Sequence, residues 1–97
     1  MHLDLKNRLA VVTGAAQGIG KAIAVVFAEH GARVVIADMN DDVGRETAKN
    51  LNGMFLHCDI SREEEVRELV SRTVEEYGAI DILVNNAGHS TADPRTR

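Results

Sequence analysis

Cysteine, proline and aromatic residues are scarce in this chain of 97 residues. It has one cysteine, one proline, two phenylalanines, one tyrosine and no tryptophan. A single cysteine excludes an internal disulfide, and the apolar surroundings of Cys58 predict a buried, unreactive side chain. No apolar run is long enough to cross a bilayer, and the N-terminal residues lack the apolar core of a signal peptide. We therefore expect a soluble protein of the cytoplasm with no membrane partner.

An excess of basic charge is also missing. The 11 Lys and Arg residues are outnumbered by 15 Asp and Glu residues, which gives a net charge of −4. Proteins that bind nucleic acids contact phosphates with clustered Lys and Arg, whereas the basic residues here are scattered. A nucleic-acid partner is therefore disfavoured, and we assign no metal-binding residues. The length predicts one small domain of marginal stability.

Apolar segments rich in Val, Ile and Leu alternate with amphipathic segments along the chain. This alternation predicts repeated strand-helix-strand units and a parallel sheet. We predict four strands, at residues 8–14, 33–38, 54–60 and 80–88. With right-handed crossovers, the fold class is α/β, with a doubly wound parallel sheet of about four strands in the order 3-2-1-4 and three helices.

Each of the three predicted helices has an apolar face. The first begins near Gly18 and stops at Gly31, and its predicted buried residues are Ile19, Ala22, Ile23, Val26 and Phe27. The second spans about 41–50, contains a destabilising Gly44, and is predicted to bury Val43, Thr47, Ala48 and Leu51. The third opens with a capping box of Ser61 and Glu64, stops at Gly78, and is predicted to bury Val66, Leu69, Val70, Thr73, Val74 and Tyr77.

Thr13, Gly14, Gly18 and Gly20 form the pattern TGxxxGxG between the first strand and the first helix. Gly14 permits the sharp exit from the strand, Gly18 lets a ligand approach the backbone, and Gly20 permits close packing of the helix. The unpaired N–H groups of the first helical turn, together with the helix dipole, form a site for an anion. The pattern predicts a loop that binds the diphosphate of a dinucleotide. The alternative is a tight turn with incidental glycines.

An acidic residue, Asp38, ends the second strand eighteen residues after Gly20. This is near the spacing of about twenty expected for a carboxylate that binds the ribose hydroxyls of adenosine. The carboxylate would repel a 2′-phosphate, and Gln17 and Met39 stand where a basic residue could have offset that repulsion. We therefore predict that NAD is bound in preference to NADP. The alternative is a carboxylate that only ends a strand and begins a turn.

Polar residues also end the third and fourth strands. Asp59 could accept a hydrogen bond from adenine while Ile60 packs against the ring, or Asp59 could only support the following helix. Asn85 and Asn86 follow an apolar run, so we expect one amide to brace neighbouring strands and the other to reach the ligand. The carboxyl ends of parallel strands share one edge, and the reversal between strands one and four opens a crevice there.

With TGxxxGxG, Asp38, the CDI segment 58–60 and the NNAG segment 85–88 in this order, the chain resembles the short-chain dehydrogenase/reductase family. The match covers about residues 5–88. The resemblance implies a Rossmann-type fold, truncated here, and hydride transfer between a secondary alcohol and a ketone. It implies that the diphosphate is surrounded by Gly14, Gln17, Gly18, Ile19 and Gly20. By the same resemblance, Asp38 binds the adenosine ribose, with Met39 next to it in the cofactor site, and Asp59 and Ile60 flank adenine. The path toward nicotinamide is lined by Asn86, Ala87 and Gly88.

The family's catalytic residues are a Ser on a fifth strand and a Tyr-x-x-x-Lys on the helix that follows it. This sequence has neither. Tyr77 is the sole tyrosine, and its position on the apolar face of the third helix predicts a role in the core. We therefore predict no catalytic residue in this chain and no turnover by the chain alone.

We expect residues 1–88 to form an NAD-binding half-domain and residues 89–97 to form a disordered polar tail. Without a fifth strand, the apolar fourth strand is an exposed edge, which predicts self-association, and we hypothesise that the chain is a fragment or is completed by another chain. Three functions are consistent with the residues. The chain is the NAD-binding part of an oxidoreductase, a non-catalytic nucleotide-binding or dimerising fragment, or part of another nucleotide enzyme such as a methyltransferase.

Overall fold

The computed structural model describes residues 4–86. Strands and helices alternate along it: β1 (Leu9–Thr13), α1 (Gly18–Glu29), β2 (Arg33–Asp38), α2 (Asp41–Asn50), β3 (Met54–His57), α3 (Glu63–Tyr77) and β4 (Ile82–Val84). The four strands form one sheet in the order β3-β2-β1-β4, and each neighbouring pair is parallel. The predicted fold class, strand order and number of helices are confirmed.

Both faces of the sheet are covered by helices, as a doubly wound fold requires. Ala10 and Val12 of β1 belong to a cluster on the face of α1 and α2, whereas Leu9 and Val11 belong to a cluster that includes Leu69 of α3. All five residues of β1 are buried, because the central strand is covered on both sides. The carboxyl ends of the strands lie at one edge, where the order reverses between β1 and β4.

The buried face of α1 differs from the prediction. Gly20 and Ala24 are the fully buried residues of this helix. Ile19, Ala22 and Val26 were predicted to be buried, and this was wrong, because all three are exposed. Their exposure has a physical cause: the helix contacts the sheet through its smallest residues, four positions apart, and this close contact turns the neighbouring larger side chains toward solvent.

Helix α2 buries the predicted face, and its internal glycine has a packing role. Gly44, Thr47 and Ala48 are all buried. A Cβ atom added to Gly44 would overlap the ring of Phe55 in β3. The glycine therefore lets α2 pack directly on that ring, which accounts for a residue that otherwise lowers helix stability.

The start of α3 differs from the predicted capping box. The helix begins at Glu63, and its N-cap residue is Arg62. Ser61 donates both its backbone N–H, at 3.0 Å, and its hydroxyl, at 2.7 Å, to the carboxylate of Asp59. The prediction of a capping box with Glu64 was wrong, because the charged acceptor two residues earlier holds Ser61 in a turn that precedes the helix. Gly78, with φ of 91°, ends the helix as predicted.

One side of α3 is less buried than predicted. Leu69 and Thr73 are buried, but Val70 and Val74 are exposed, so the prediction was wrong for these two valines. Val70 lines a cavity that it shares with Leu83 of β4, whose side chain is 58% exposed. Within residues 4–86 no further element covers this cavity, and that explains the exposure.

Strands β3 and β4 are shorter than predicted: the segments 54–60 and 80–88 reduce to Met54–His57 and Ile82–Val84. The start of β4 is fixed by Asp81, whose carboxylate accepts a hydrogen bond from the N–H of Leu9 at 2.8 Å. Residues 87 and 88 and the predicted tail at 89–97 lie outside the described residues. Cys58 is buried as predicted, and its desolvation raises the pKa of the thiol.

Two kinds of feature are absent from the described residues. No helix in residues 4–86 combines the length and apolar character needed to span a membrane. The same part of the chain contains no group of three or more His, Cys, Asp or Glu side chains that could hold a metal ion.

Candidate functional site

The glycine-rich loop between β1 and α1 has the backbone conformation that its sequence predicts. Gly14 and Gly18 have φ of 65° and 69°, in the left-handed region that favours glycine. A Cβ atom on Gly20 would overlap the carbonyl oxygen of Gly14 and lie 2.7 Å from the amide nitrogen of Asn86. The loop therefore turns back against the start of α1, and only glycine fits at its closest approach.

The first turn of α1 faces an open space beside this loop. Gln17 is the N-cap residue, its side chain makes no cap hydrogen bond in the described structure, and the first turn carries no acidic residue. A Cβ atom on Gly18 would meet nothing within 4 Å in residues 4–86. The first N–H groups of a helix have no partner within the helix, and they carry part of its positive dipole end. A helix terminus of this kind can bind an anion without a basic side chain.

Neighbouring elements hold the loop in place through Ala16. The backbone N–H of Ala16 donates to the carboxylate of Asp38 at 3.0 Å. The carbonyl of Ala16 accepts a hydrogen bond from the buried hydroxyl of Thr47 at 2.8 Å. The end of β2 and the middle of α2 thus fix both polar groups of one peptide in the loop. Such bracing sets the direction of the N–H groups before a ligand binds.

The carboxylate of Asp38 lies at the same edge of the sheet as the open helix terminus. One of its oxygens contacts Ala16, and the other accepts from the N–H of Asn40 at 2.9 Å. Met39, the next residue, is 60% exposed. The side chain is therefore held by two backbone N–H groups at the junction of the loop and β2, where it was predicted.

The end of β4 is tied to the same loop by an amide and a hydroxyl. The side-chain amide of Asn86 donates to the carbonyl of Gly14 at 3.3 Å, and its backbone N–H donates to the hydroxyl of Thr13 at 2.8 Å. Asn85 is tied to the same strand, because its side-chain oxygen accepts a hydrogen bond from the Thr13 hydroxyl at 3.3 Å, so both amides brace neighbouring elements. Asn85 is exposed and lines the cavity that contains Val70.

Two functional residues were missed by the sequence reasoning. Thr13 was only part of the glycine motif, and Thr47 was only an inward-facing residue of α2. Both hydroxyls prove to be buried and to join the loop to other elements. A signal was present, because a threonine on an apolar face must find a hydrogen-bond partner for its hydroxyl. The partner itself could not be inferred from spacing.

Asp59 and Ile60 follow β3, and the hydrogen bonds of Asp59 are to the segment that leads into α3 and to its first turn. The hydrogen bond from the Ser61 hydroxyl lowers the pKa of Asp59, with the Ser61 N–H acting in the same direction. Asp59 therefore does support the segment before α3, one of its two predicted roles. Ile60 is half-buried and lines the cavity shared by Val66 and Leu83.

Four of the predicted groups are therefore joined around one loop, at the carboxyl edge of the sheet and at the reversal of strand order. They are Gly14, Gly20, Asp38 and Asn86. Gln17, Gly18 and Ile19 are exposed beside them. Ala87 and Gly88 lie outside the described residues.

A sequence model described as short chain dehydrogenase matches residues 8–97. The chain belongs to that family. The chain is similar to tropinone reductase-like 2 of Erythroxylum coca, and the two sequences are 49% identical over 89 residues. The aligned region covers 90% of this chain and 32% of the relative. The chain spans about a third of the length of the curated relatives that it matches.

Solved structures show the same fold. A structure described as hydroxysteroid dehydrogenase from Escherichia coli superposes with a TM-score of 0.81 at 38% identity, covering 98% of this chain and 44% of that one. A structure described as ribose-5-phosphate isomerase from Brucella melitensis superposes with a TM-score of 0.85 at 34% identity, covering 89% and 34%. Because these two names describe different reactions, the shared fold of the short chain dehydrogenase family does not by itself identify a substrate.

Tyr77 lies far from the site in this short chain dehydrogenase chain. Its ring packs against the cluster that contains Leu69, and the guanidinium of Arg33 lies 5.4 Å from the ring centre. Arg33 begins β2, so this contact is at the amino edge of the sheet, opposite the glycine-rich loop. The predicted core role of Tyr77 is confirmed.

Proposed function

We propose that this chain is the NAD(H)-binding part of an oxidoreductase that interconverts a secondary alcohol and a ketone. The observation that carries the proposal is the hydrogen bond between the N–H of Ala16 and the carboxylate of Asp38. It joins the loop that suits a diphosphate to the carboxylate that suits a ribose. Membership of the short chain dehydrogenase family supports the reaction class.

Each part of the chain has a defined task in this proposal. The N–H groups at Gly18, Ile19 and Gly20, with Gly14 and Gln17 beside them, bind the diphosphate. Asp38, with Met39 beside it, accepts hydrogen bonds from the adenosine ribose. Asp59 and Ile60 flank adenine. The residues toward nicotinamide are Asn86, Ala87 and Gly88. When bound, NAD(H) supplies or accepts the hydride. The residues of this chain orient it, because the loop is already fixed by Asp38, Thr47 and Asn86.

We propose a preference for NAD over NADP on electrostatic grounds. A 2′-phosphate about 4 Å from the Asp38 carboxylate would meet a repulsion of about 4 kcal/mol at an effective dielectric of 20, before screening. Gln17 and Met39 are both exposed, and neither carries a charge that would offset the repulsion. The two ribose hydroxyls of NAD, in contrast, donate favourably to a carboxylate.

We propose that residues 1–88 are sufficient for binding but not for turnover. The sequence contains no Tyr-x-x-x-Lys, and Tyr77 is committed to the core. Calorimetric titration with NADH and NADPH, beside an assay of ketone reduction, tests both parts. Tighter binding of NADH without turnover is the expected result. Equal binding of NADH and NADPH would contradict the proposed preference for NAD. If neither coenzyme bound, the proposed function in NAD(H) binding would be wrong.

Self-association is a second candidate function, which the edge strand favours. In the described part of the chain β4 lies at the edge of the sheet, and Leu83 is 58% exposed. We infer that β4 pairs with a second chain along this edge. Light scattering should show mass that increases with concentration, and Leu83→Lys should reduce it, whereas a matched Val26→Lys on α1 should not. A monomer at high concentration would contradict this candidate.

A further inference from the structure

His57 lies between the two helices that begin beside the site. It is the last residue of β3 and is paired in register with Asp38 of β2. Its Nδ1 atom is 2.6 Å from the carboxylate of Asp41, the first residue of α2. Its Nε2 atom is 4.0 Å from the carboxylate of Glu65 in the first turn of α3. One imidazole therefore contacts an acidic residue on each helix.

Each of these acidic residues is attached to one of the proposed adenosine contacts. Asp41 follows Asn40, whose N–H binds the carboxylate of Asp38 at 2.9 Å. Glu65 accepts the backbone N–H of Asp59 at 2.8 Å. His57 thus bridges the β2–α2 connection, which carries Asp38, and the β3–α3 segment, which carries Asp59. A change at the imidazole therefore reaches the Asn40 peptide, which holds the Asp38 carboxylate, and the backbone N–H of Asp59.

The charges around His57 favour its protonated form. Asp41 raises the pKa of His57 through their hydrogen bond, and Glu65 and Asp59 raise it further by their charge, while partial desolvation opposes this. Cationic groups from the same elements pair with two of these carboxylates: Arg45 with Asp41, and Arg62 with Glu65. Two further charged residues of α3 line the adjoining cavity, Glu68 and Arg72. A proton on His57 therefore strengthens its contacts to both helices, and its loss weakens them.

We propose that His57 is a positioning residue that makes binding of the adenosine half of NAD(H) depend on pH. With the imidazolium in place, the connections that carry Asp38 and Asp59 are held at the separation that adenosine requires. When the proton is lost, the ion pair with Glu65 is lost, and the two connections are then held chiefly by the backbone hydrogen bond from the N–H of Cys58 to the carbonyl of Asp38 at 3.0 Å. The inference rests on the proposed binding of NAD(H) at this edge.

The test measures the Kd of the full chain for NADH and for ADP-ribose from about pH 6 to about pH 8.5, a range that spans histidine titration. The expected result is an affinity that falls about two- to fivefold as the pH rises, the scale of an exposed ion pair. ADP-ribose should show the same slope, because it retains the adenosine half. His57→Gln should bind more weakly at low pH and lose the slope, and Asp41→Asn should also reduce the slope. The matched control is His30→Gln, since the His30 imidazole contacts the carbonyl of Val26 at the C-terminal end of α1 and should leave the slope unchanged.

The outcomes separate the inference from the function on which it rests. Binding by the wild type with no pH slope, or a slope retained by His57→Gln, would overturn the role of His57 and leave NAD(H) binding intact. A lower thermal stability of His57→Gln with unchanged Kd values would reduce His57 to a purely structural residue and also overturn the inference. Absence of binding by every variant at every pH would overturn both proposals.

Discussion

The carboxylate of Asp38 accepts a hydrogen bond of 3.0 Å from the backbone N–H of Ala16. The two residues are 22 positions apart: Ala16 lies in the loop between β1 and α1, and Asp38 ends β2. Their contact means that the carboxylate and the glycine-rich loop form one rigid unit. A substitution at Asp38 therefore acts in two ways, through the proposed contact with the ribose and through the shape of the loop.

We expect Asp38→Asn to weaken NADH binding about tenfold and to narrow the difference between NADH and NADPH. Hydrogen bonds to charged groups contribute about 1.5–3 kcal/mol, and the amide keeps the size of the side chain while removing its charge. Calorimetric titration of both coenzymes measures the change. The control is Asp42→Asn, an exposed carboxylate in the first turn of α2. If Asp38→Asn kept the same ratio of NADH to NADPH affinity, Asp38 would not be a ribose contact.

Replacing Gly44 with Ala should destabilise the protein, although the same change in an unconstrained helix stabilises it by about 1 kcal/mol. The added Cβ atom would overlap the Phe55 ring, and overpacking of this kind costs about 1–3 kcal/mol. Urea unfolding of Gly44→Ala measures the sign. The double variant with Phe55→Leu, compared with Phe55→Leu alone, should recover the helical gain. A more stable single variant would show that α2 and β3 separate easily.

Loss of the Thr47 hydroxyl should loosen the loop. Thr47→Val leaves the buried carbonyl of Ala16 without this donor, which costs about 1–3 kcal/mol of unfolding free energy, and NADH binding should weaken as well. Thr73→Val is the matched control, because Thr73 is equally buried but donates within its own helix to Leu69. Denaturant unfolding and NADH titration of both variants measure the contrast. Equal NADH affinities would separate Thr47 from the site.

The contact between His57 and Asp41 should make stability depend on pH. The pKa of His57 is raised above its ordinary value of 6.5, chiefly by the Asp41 hydrogen bond. A raised pKa in the folded state means that this contribution is complete below about pH 6.5 and is lost as the pH rises through the folded pKa. The melting temperature of the wild type should therefore fall over that range more than that of His57→Gln. Parallel pH profiles of the two proteins would contradict this.

The features predicted correctly are those set by short-range sequence patterns. Alternating apolar segments with right-handed crossovers allow few topologies, so the strand order followed from the chain itself. Gly14 and Asp38 were placed correctly because the end of a parallel strand has a fixed position at the sheet edge. The left-handed conformation of Gly31 followed from its position after a helix, and Gly78 ends α3 as predicted.

The features predicted wrongly depend on contacts between distant residues. The buried face of α1 was assigned to large residues such as Val26, yet the sheet accepts the small Ala24. The roles of Thr13, Thr47 and Asn86 also depend on such contacts, since their partners lie at least 31 residues away along the chain. No local pattern specifies such a partner.

The short β4 strand has a thermodynamic consequence. Its three residues place Asn86 within hydrogen-bond distance of the carbonyl of Gly14. Fraying of this edge strand therefore also breaks a contact that holds the glycine-rich loop. Any molecule that binds only the ordered loop must raise the free energy of that opening by linkage. Binding of a ligand to the glycine-rich loop should then slow the hydrogen exchange of the backbone amides of Ile82–Val84.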